Sequence, residues 1–231
     1  MLQGRGRQGI TGTIQMQTVA ETIKRLLDPG IIAIIRAKRS DQIPQVADAL
    51  LEGGVIAIEI TMTTPNALEA VREARSRLGE RAVIGVGTVL DVDTCRAAVA
   101  AGAQFIVTPI CRTALVEAAQ EGGCPIMLGA YTPTEAQLAY EAGADFVKLF
   151  PADGLGPAYV KALRAPLPHL RIVPTGGVDL QTAGPFLKAG CAALGVGSSL
   201  VSASILERED WPELTRLAAA FVEAARSARL R

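Results

Sequence analysis

Lys148 and Glu59, two residues whose types could perform catalytic chemistry, lie in apolar stretches with the alternation of β-strands. A side-chain period of two places Lys148 on one strand face with Phe146 and Phe150. An amine held away from water is more often neutral at pH 7, and a neutral amine can attack a ketone. Lys148 is therefore predicted to be a nucleophile. The alternative is a lysine whose ammonium group reaches solvent at the end of a strand.

Glu59 lies in a second stretch with the same alternation, where it shares a face with Val55 and Ala57 and isoleucines occupy the other face. The isoleucine face suits packing against helices, so Glu59 is predicted to point inward, as Lys148 does. A carboxylate beside a neutral amine can move protons, which predicts a general acid/base. A buried ion pair without chemistry stays open, because structural ion pairs contain the same residue types.

Anion-binding groups are predicted at the ends of three further strands. Arg36 ends the first apolar stretch, and an inward guanidinium there could bind a substrate carboxylate through two hydrogen bonds. A solvated arginine at a strand end is the alternative. Two glycine-rich turns, with Gly176 and Gly177 in one and Gly197 and Ser198 in the other, follow consecutive strands. Such turns present backbone N–H groups, which predicts a phosphate site.

Short β-branched stretches alternate with helical patterns along the whole chain, which is typical of parallel strands joined by crossover helices. Strands are predicted over residues 31–36, 55–60, 82–86, 104–107, 125–128, 145–150, 171–174 and 192–196. Eight such strands close into a barrel, so the predicted fold is α/β, a single (β/α)8 TIM barrel. An open doubly wound sheet is the alternative, and the lack of GxGxxG after the first strand disfavours it.

Two further helices are predicted outside the barrel repeat, an N-terminal one over residues 18–27 and a C-terminal one over residues 211–226. Residues 1–17 are predicted to form a flexible tail, and residues 18–231 one barrel domain. In this fold the C-terminal ends of the strands form the active site. The polar residues singled out above follow strands, so they are expected to meet at that rim.

The composition excludes several classes of function. The 23 Lys and Arg residues equal the 23 Asp and Glu residues in number, whereas a nucleic-acid-binding protein would carry a basic excess. The sequence contains no run of 18 or more apolar residues, so no membrane-spanning helix is predicted. The four cysteines (Cys95, Cys111, Cys124 and Cys191) form no CxxC pair, and the one histidine, His169, precedes the seventh strand, so no metal site is expected. Reduced thiols and the lack of an apolar leader predict a cytoplasmic protein.

Several motifs, in order and at barrel spacing, resemble the 2-keto-3-deoxy-6-phosphogluconate (KDPG) and 4-hydroxy-2-oxoglutarate (KHG) aldolases. The resemblance runs over roughly residues 31–201. The matching stretches are Glu-Gly-Gly-Val at 52–55, Glu-Ile-Thr at 59–61, Gly-Val-Gly-Thr-Val at 85–89, Ala-Gly-Ala-Gln-Phe-Ile-Val at 101–107, Lys-Leu-Phe-Pro at 148–151, Pro-Thr-Gly-Gly-Val at 174–178 and Gly-Val-Gly-Ser at 195–198.

The resemblance implies a class I aldolase, a lyase that uses no metal and no cofactor. It implies cleavage of KDPG to pyruvate and glyceraldehyde 3-phosphate, of KHG to pyruvate and glyoxylate, or of both. Lys148 would be the Schiff-base lysine and Glu59 the general acid/base. The expected partner is a small 2-keto acid, with neither nucleic acid nor membrane, and family members are commonly homotrimers.

The resemblance also assigns residues around the substrate. Thr88, Pro109 and Phe150 would shape the pyruvate pocket, and Thr175 would lie near the substrate hydroxyls. The phosphate contacts would be the glycine-rich turns named above. This chain departs from some members in one respect: four residues after the glutamate they carry an arginine, and Thr63 stands here. Arg36 is expected to supply the cation.

Two other functions stay open from the sequence. A decarboxylase of 2-keto acids such as oxaloacetate could use the same lysine. A phosphate-binding barrel without catalytic activity is the second, and the presence of both Lys148 and Glu59 argues against it.

Overall fold

A computed structural model describes residues 18–230, in which eight parallel strands alternate with helices. The strands are β1 (Ile31–Ile35), β2 (Ala57–Thr61), β3 (Val83–Gly87), β4 (Phe105–Val107), β5 (Ile126–Ala130), β6 (Phe146–Leu149), β7 (Ile172–Pro174) and β8 (Leu194–Val196). Each strand pairs with its neighbour in sequence, and β1 pairs with β8. A parallel bridge between Thr175 and Gly195 joins β7 to β8. The predicted (β/α)8 barrel is confirmed, and the open doubly wound alternative is wrong.

Helices form an outer layer around these strands. They are α1 (Val19–Leu27), α2 (Ile43–Glu52), α3 (Ala67–Leu78), α4 (Val92–Ala100), α5 (Ala114–Glu121), α6 (Pro133–Glu141), α7 (Gly156–Arg164), α8 (Leu180–Lys188), α9 (Ala203–Arg208) and α10 (Trp211–Arg229), with 3₁₀ turns at Ser40–Gln42 and Gly79–Arg81. The predicted N-terminal and C-terminal helices are α1 and α10. The short helix α9, which begins after Ser202 caps it, is not predicted from the sequence. The predicted tail, residues 1–17, lies outside the described residues, and its separation from one barrel domain stays a prediction.

Glycines end several of these helices in the left-handed conformation that favours glycine. Gly102, Gly143 and Gly190 have φ angles of 97°, 93° and 96°. Gly53, the first glycine after α2, does not take this conformation. Gly53 has a φ of −78°, and the next residue, Gly54, takes the left-handed conformation with a φ of 85°.

The hydrophobic core consists of two layers, one on each face of the barrel sheet. The outer layer packs between strands and helices and includes the outward residues Ile58, Ile60, Val147 and Leu149. The inner layer lies in the lumen and consists of Leu26, Ile32, Ala57, Val83, Phe105, Val107, Met127, Phe146, Val173 and Ala193. Leu26 belongs to α1, so this helix contributes to closing the N-terminal end of the barrel. On β6 and β2, the inner-layer residues Phe146 and Ala57 lie two positions before Lys148 and Glu59.

Within residues 18–230, no helix is long and apolar enough to span a membrane. The same residues contain no group of three His, Cys, Asp or Glu side chains that could hold a metal ion. His169 contacts the ring of Tyr140 and the amide of Gln137, ahead of β7 at the N-terminal end of the barrel.

Candidate active site

A cavity of about 520 Å³ opens at the C-terminal ends of the strands. Every site residue predicted from the sequence lines this cavity: Arg36, Glu59, Thr88, Pro109, Lys148, Phe150, Thr175, Gly176, Gly177, Gly197 and Ser198. The structure therefore brings together residues that lie in or directly after seven of the eight strands.

Lys148 and Glu59 meet inside the lumen. Lys148 extends from β6 and Glu59 from β2, and their Nζ and Oε1 atoms lie 3.8 Å apart. Both residues are at most 5% exposed. The Lys148 Nζ atom also lies 5.1 Å from the centre of the Phe150 ring. The alternation that predicted two inward residues is confirmed, because Phe146 and Ala57, two positions earlier on each strand, belong to the inner layer.

The environment of Glu59 favours proton transfer. Burial raises the pKa of its carboxyl group, while the positive charges of Lys148 and Arg36 oppose this rise. Within the described part of the chain, the buried Oε1 atom accepts no hydrogen bond. A buried carboxyl group with a raised pKa and an oxygen that accepts no hydrogen bond is suited to accept and return protons.

Gly87, at the end of β3, provides the space in which the Glu59 carboxylate lies. A Cβ atom at residue 87 would overlap Oε1, Cδ and Cγ of Glu59. On β8, a Cβ atom at Gly195 would likewise overlap the Thr175 hydroxyl. Gly87 belongs to a family motif, yet its role is not predictable from the sequence, because the lack of a side chain is informative only when the neighbour on the adjacent strand is known.

One end of the cavity has an unusual backbone. Thr88, directly after β3, has a φ of 61°, in the left-handed region that a β-branched residue rarely adopts. Such strain is commonly kept at sites that bind a ligand. Pro109 follows β4 and Phe150 follows β6, and both are half-buried at the wall of the cavity.

The glycine-rich turns form the other end of the cavity. Gly176 and Gly177 have φ angles of 88° and 71°, which non-glycine residues rarely adopt. In the turn after β8, Ser198 is exposed, and a Cβ atom at Gly197 would meet no atom within 4 Å. The Asp179 carboxylate accepts hydrogen bonds from the N–H groups of Gln181 and Thr182 in the first turn of α8, so these two donors are already used.

The thiols are not suited to nucleophilic chemistry. Burial raises the pKa of Cys95 to about 11 and those of Cys124 and Cys191 to about 12 each. The pKa of Cys111 is raised as well, and none of the four lines the cavity. Among the described residues that line the cavity, Lys148 is the one lysine.

Comparison with known proteins agrees with this geometry. The family model described as "KDPG and KHG aldolase" matches residues 22–217. The chain belongs to this family. It is 38% identical to the 2-dehydro-3-deoxy-phosphogluconate aldolase of Pseudomonas aeruginosa over 84% of this chain and 88% of that protein. It is 35% identical to the KHG/KDPG aldolase of Escherichia coli over 91% of this chain and 98% of that protein.

A solved structure adds the chemistry of a relative. The KDPG aldolase of Legionella pneumophila, with pyruvate captured as a covalent carbinolamine intermediate, superposes with a TM-score of 0.80. The two chains are 27% identical over 87% of this one and 97% of that one. The present enzyme is an aldolase, and therefore a lyase, as the sequence motifs predicted.

The aldolase cavity also has walls that the sequence patterns did not indicate. Ile34, Val178, Ser199, Val201 and Ala203 line it together with the predicted residues. Val201 lies just before the short helix α9, and Ala203 is its first residue. Ile34 could have been found from the alternation that placed Arg36 inward, since both lie on the same face of the strand.

Proposed function

We propose that this aldolase cleaves KDPG to pyruvate and glyceraldehyde 3-phosphate, KHG to pyruvate and glyoxylate, or both, through a Schiff base on Lys148. The buried pair of Lys148 and Glu59 in one cavity with the glycine-rich turns is the observation that carries this proposal. The amine and carboxyl supply covalent and proton-transfer chemistry, and the turns supply donors for a phosphate.

The reaction begins when neutral Lys148 attacks the C2 ketone and forms a carbinolamine. Glu59 transfers the protons with which the carbinolamine loses water and becomes an iminium. Removal of the C4 hydroxyl proton then breaks the C3–C4 bond, and its electron pair moves to the iminium nitrogen. The aldehyde leaves an enamine behind, which is protonated at C3 and hydrolysed to pyruvate and the free amine.

The other lining residues hold the substrate in this scheme. Thr88, Pro109 and Phe150 shape the pocket of the pyruvate unit, and Thr175, which is buried at the end of β7, binds a substrate hydroxyl. Arg36, which lies at the rim, binds a negatively charged group of the substrate.

We place the phosphate at the two glycine-rich turns. Backbone N–H groups of Gly176, Gly177 and Gly197 and the hydroxyl of Ser198 would donate to it. This assignment favours KDPG over KHG, because KHG has no phosphate to use these donors. Assembly as a homotrimer and action in the cytoplasm belong to the same proposal, and both follow from the family resemblance and the composition.

Borohydride trapping tests the proposal. Pyruvate plus borohydride should add a stable mass to Lys148, found by peptide mass mapping, and Lys148→Met should abolish both the label and the cleavage. Lys161→Arg, which changes an exposed lysine on α7, is the matched control and should keep both. A label on Lys161 or Lys188, or none at all, would contradict the Schiff base. Parallel assays with oxaloacetate separate the decarboxylase alternative.

A further inference from the structure

We propose that Thr61 and Thr64 are positioning residues that hold Arg36 in place for the substrate anion. This inference rests on the proposed function, because it assumes that Arg36 binds a negatively charged group of the substrate. The two threonines act through the backbone on either side of Arg36 and touch no substrate themselves.

The contacts enclose Arg36 on both sides. The Thr61 hydroxyl donates a hydrogen bond of 3.1 Å to the carbonyl oxygen of Ile35. The Thr64 hydroxyl accepts a hydrogen bond of 3.3 Å from the N–H group of Ala37. Both threonines are at most 3% exposed, whereas Arg36 itself is exposed at the rim.

The backbone of residues 36 and 37 needs hydrogen-bond partners from outside the sheet, because the pairing of β1 with β2 ends just before it. The last paired residues of β1 and β2 are Ile35 and Ile60. Beyond Ile35 no strand partner fixes the chain, yet Ala37 is buried and its N–H group requires an acceptor. The hydroxyl of Thr64, in the turn after β2, is that acceptor.

The guanidinium is not fixed by a direct polar contact of its own, although its charge acts on Glu59. Within residues 18–230, Arg36 forms no side-chain hydrogen bond and no ion pair within 4.0 Å. Among the cavity-lining residues of this part of the chain, only Arg36 and Lys148 are cationic. Since Lys148 is the nucleophile, the binding of an anion by a cationic side chain depends on Arg36 and therefore on the backbone that carries it.

Thr63 has a different position in the same turn. It is exposed, it does not line the cavity, and its hydroxyl contacts that of Thr61 at 2.8 Å. The turn after β2 thus brings no positive charge to the substrate. Instead, Thr61 and Thr64 form hydrogen bonds with the backbone after β1, which carries the positively charged Arg36.

A double-mutant cycle tests the proposal. KM and kcat for KDPG cleavage are measured for the parent, Thr64→Val, Arg36→Gln and the double variant. Thr64→Val keeps the shape of the side chain and removes the hydroxyl that accepts the hydrogen bond from Ala37. We expect it to raise KM about tenfold, a coupling of ordinary size for residues in contact, with kcat nearly unchanged. In the Arg36→Gln background the same change should have no further effect on KM.

Three further variants complete the experiment. Thr64→Ser keeps the acceptor and should restore the parental KM. Thr215→Val removes a hydroxyl bond of 3.1 Å to a backbone carbonyl, between α10 and α2 and away from the cavity, and should leave KM unchanged. If Thr64→Val does not fold, Thr61→Val tests the same hold from the carbonyl side, and the same coupling to Arg36 is expected.

The outcomes separate the two proposals. An equal rise in KM in both backgrounds, an equal rise in Thr215→Val, or an unchanged KM in the threonine variants overturns the role of Thr61 and Thr64 and leaves the proposed function intact. A parent enzyme that cleaves neither KDPG nor KHG overturns the proposed function itself.

Discussion

The carboxylate of Glu59 lies against the backbone of Gly87, in the space that any side chain at residue 87 would occupy. Glu59 and Gly87 belong to adjacent strands, and the register pairs Glu59 with Gly85 and Thr61 with Gly87. Because Gly87 has no side chain, the carboxylate of Glu59, the proposed general acid/base, can occupy this position near Lys148.

Replacing Gly87 with alanine should push the carboxylate of Glu59 away from the amine of Lys148. The added methyl group would displace a carboxylate that is fully buried, and the 3.8 Å contact to Nζ would be lost. We expect turnover to fall by about 10²-fold, as for a misplaced catalytic group. Steady-state KDPG cleavage and the thermal midpoint measure the effect. Gly184→Ala, at a position on α8 with no atom within 4 Å of the added carbon, should leave turnover as it is.

Glu59→Gln separates proton transfer from a structural ion pair. The amide cannot carry protons, so turnover should fall by about 10²–10⁴-fold while the protein still folds. Exchange of the methyl protons of pyruvate with solvent isolates this step, since it needs the enamine but no aldehyde. Nuclear magnetic resonance in D₂O should show very slow exchange in the variant. Exchange at the parental rate would mean that Glu59 is not the general acid/base.

The raised pKa of Glu59 predicts a shifted acidic limb in the pH–rate profile. Burial keeps this carboxyl group protonated up to a higher pH than an ordinary glutamate. As the pH falls, the ionised form, which accepts protons, is therefore lost at a higher pH than in an ordinary glutamate. We expect kcat/KM for KDPG to decline above the usual glutamate range, and the limb to be absent from the residual activity of Glu59→Gln. A limb at the ordinary glutamate value would contradict the role of burial.

The turn after β8 allows a clean test of phosphate binding. Gly197 has open space around its Cβ position, so Gly197→Asp should place a negative charge in the cavity without steric overlap. We expect a rise in KM for KDPG of about tenfold or more, from repulsion between like charges in a partly buried site, and a much smaller rise for KHG. Gly197→Asn has the same size without the charge and should affect KDPG far less. Equal damage to both substrates by Gly197→Asp would indicate that the turn is structural.

Local patterns in the sequence are sufficient for the fold and for the direction of the main site residues. A period of two fixes which strand face a residue occupies, so the alternation alone places Lys148 and Glu59 inward. The number of strands predicts the barrel, and their C-terminal ends predict the rim. These properties depend on neighbours within a few residues along the chain.

Other properties depend on contacts between distant parts of the chain, and only the tertiary structure decided them. The proximity of Lys148 to Glu59, the space left by Gly87 and the bonds from the turn after β2 to the backbone beside Arg36 all arise when strands pair in one register. The short helix α9 carries too few residues for a periodic signal. The sequence by itself therefore determined which residues face the lumen. Closure of the barrel determined which of them touch, because the distance between two side chains depends on the packing of the strands that carry them.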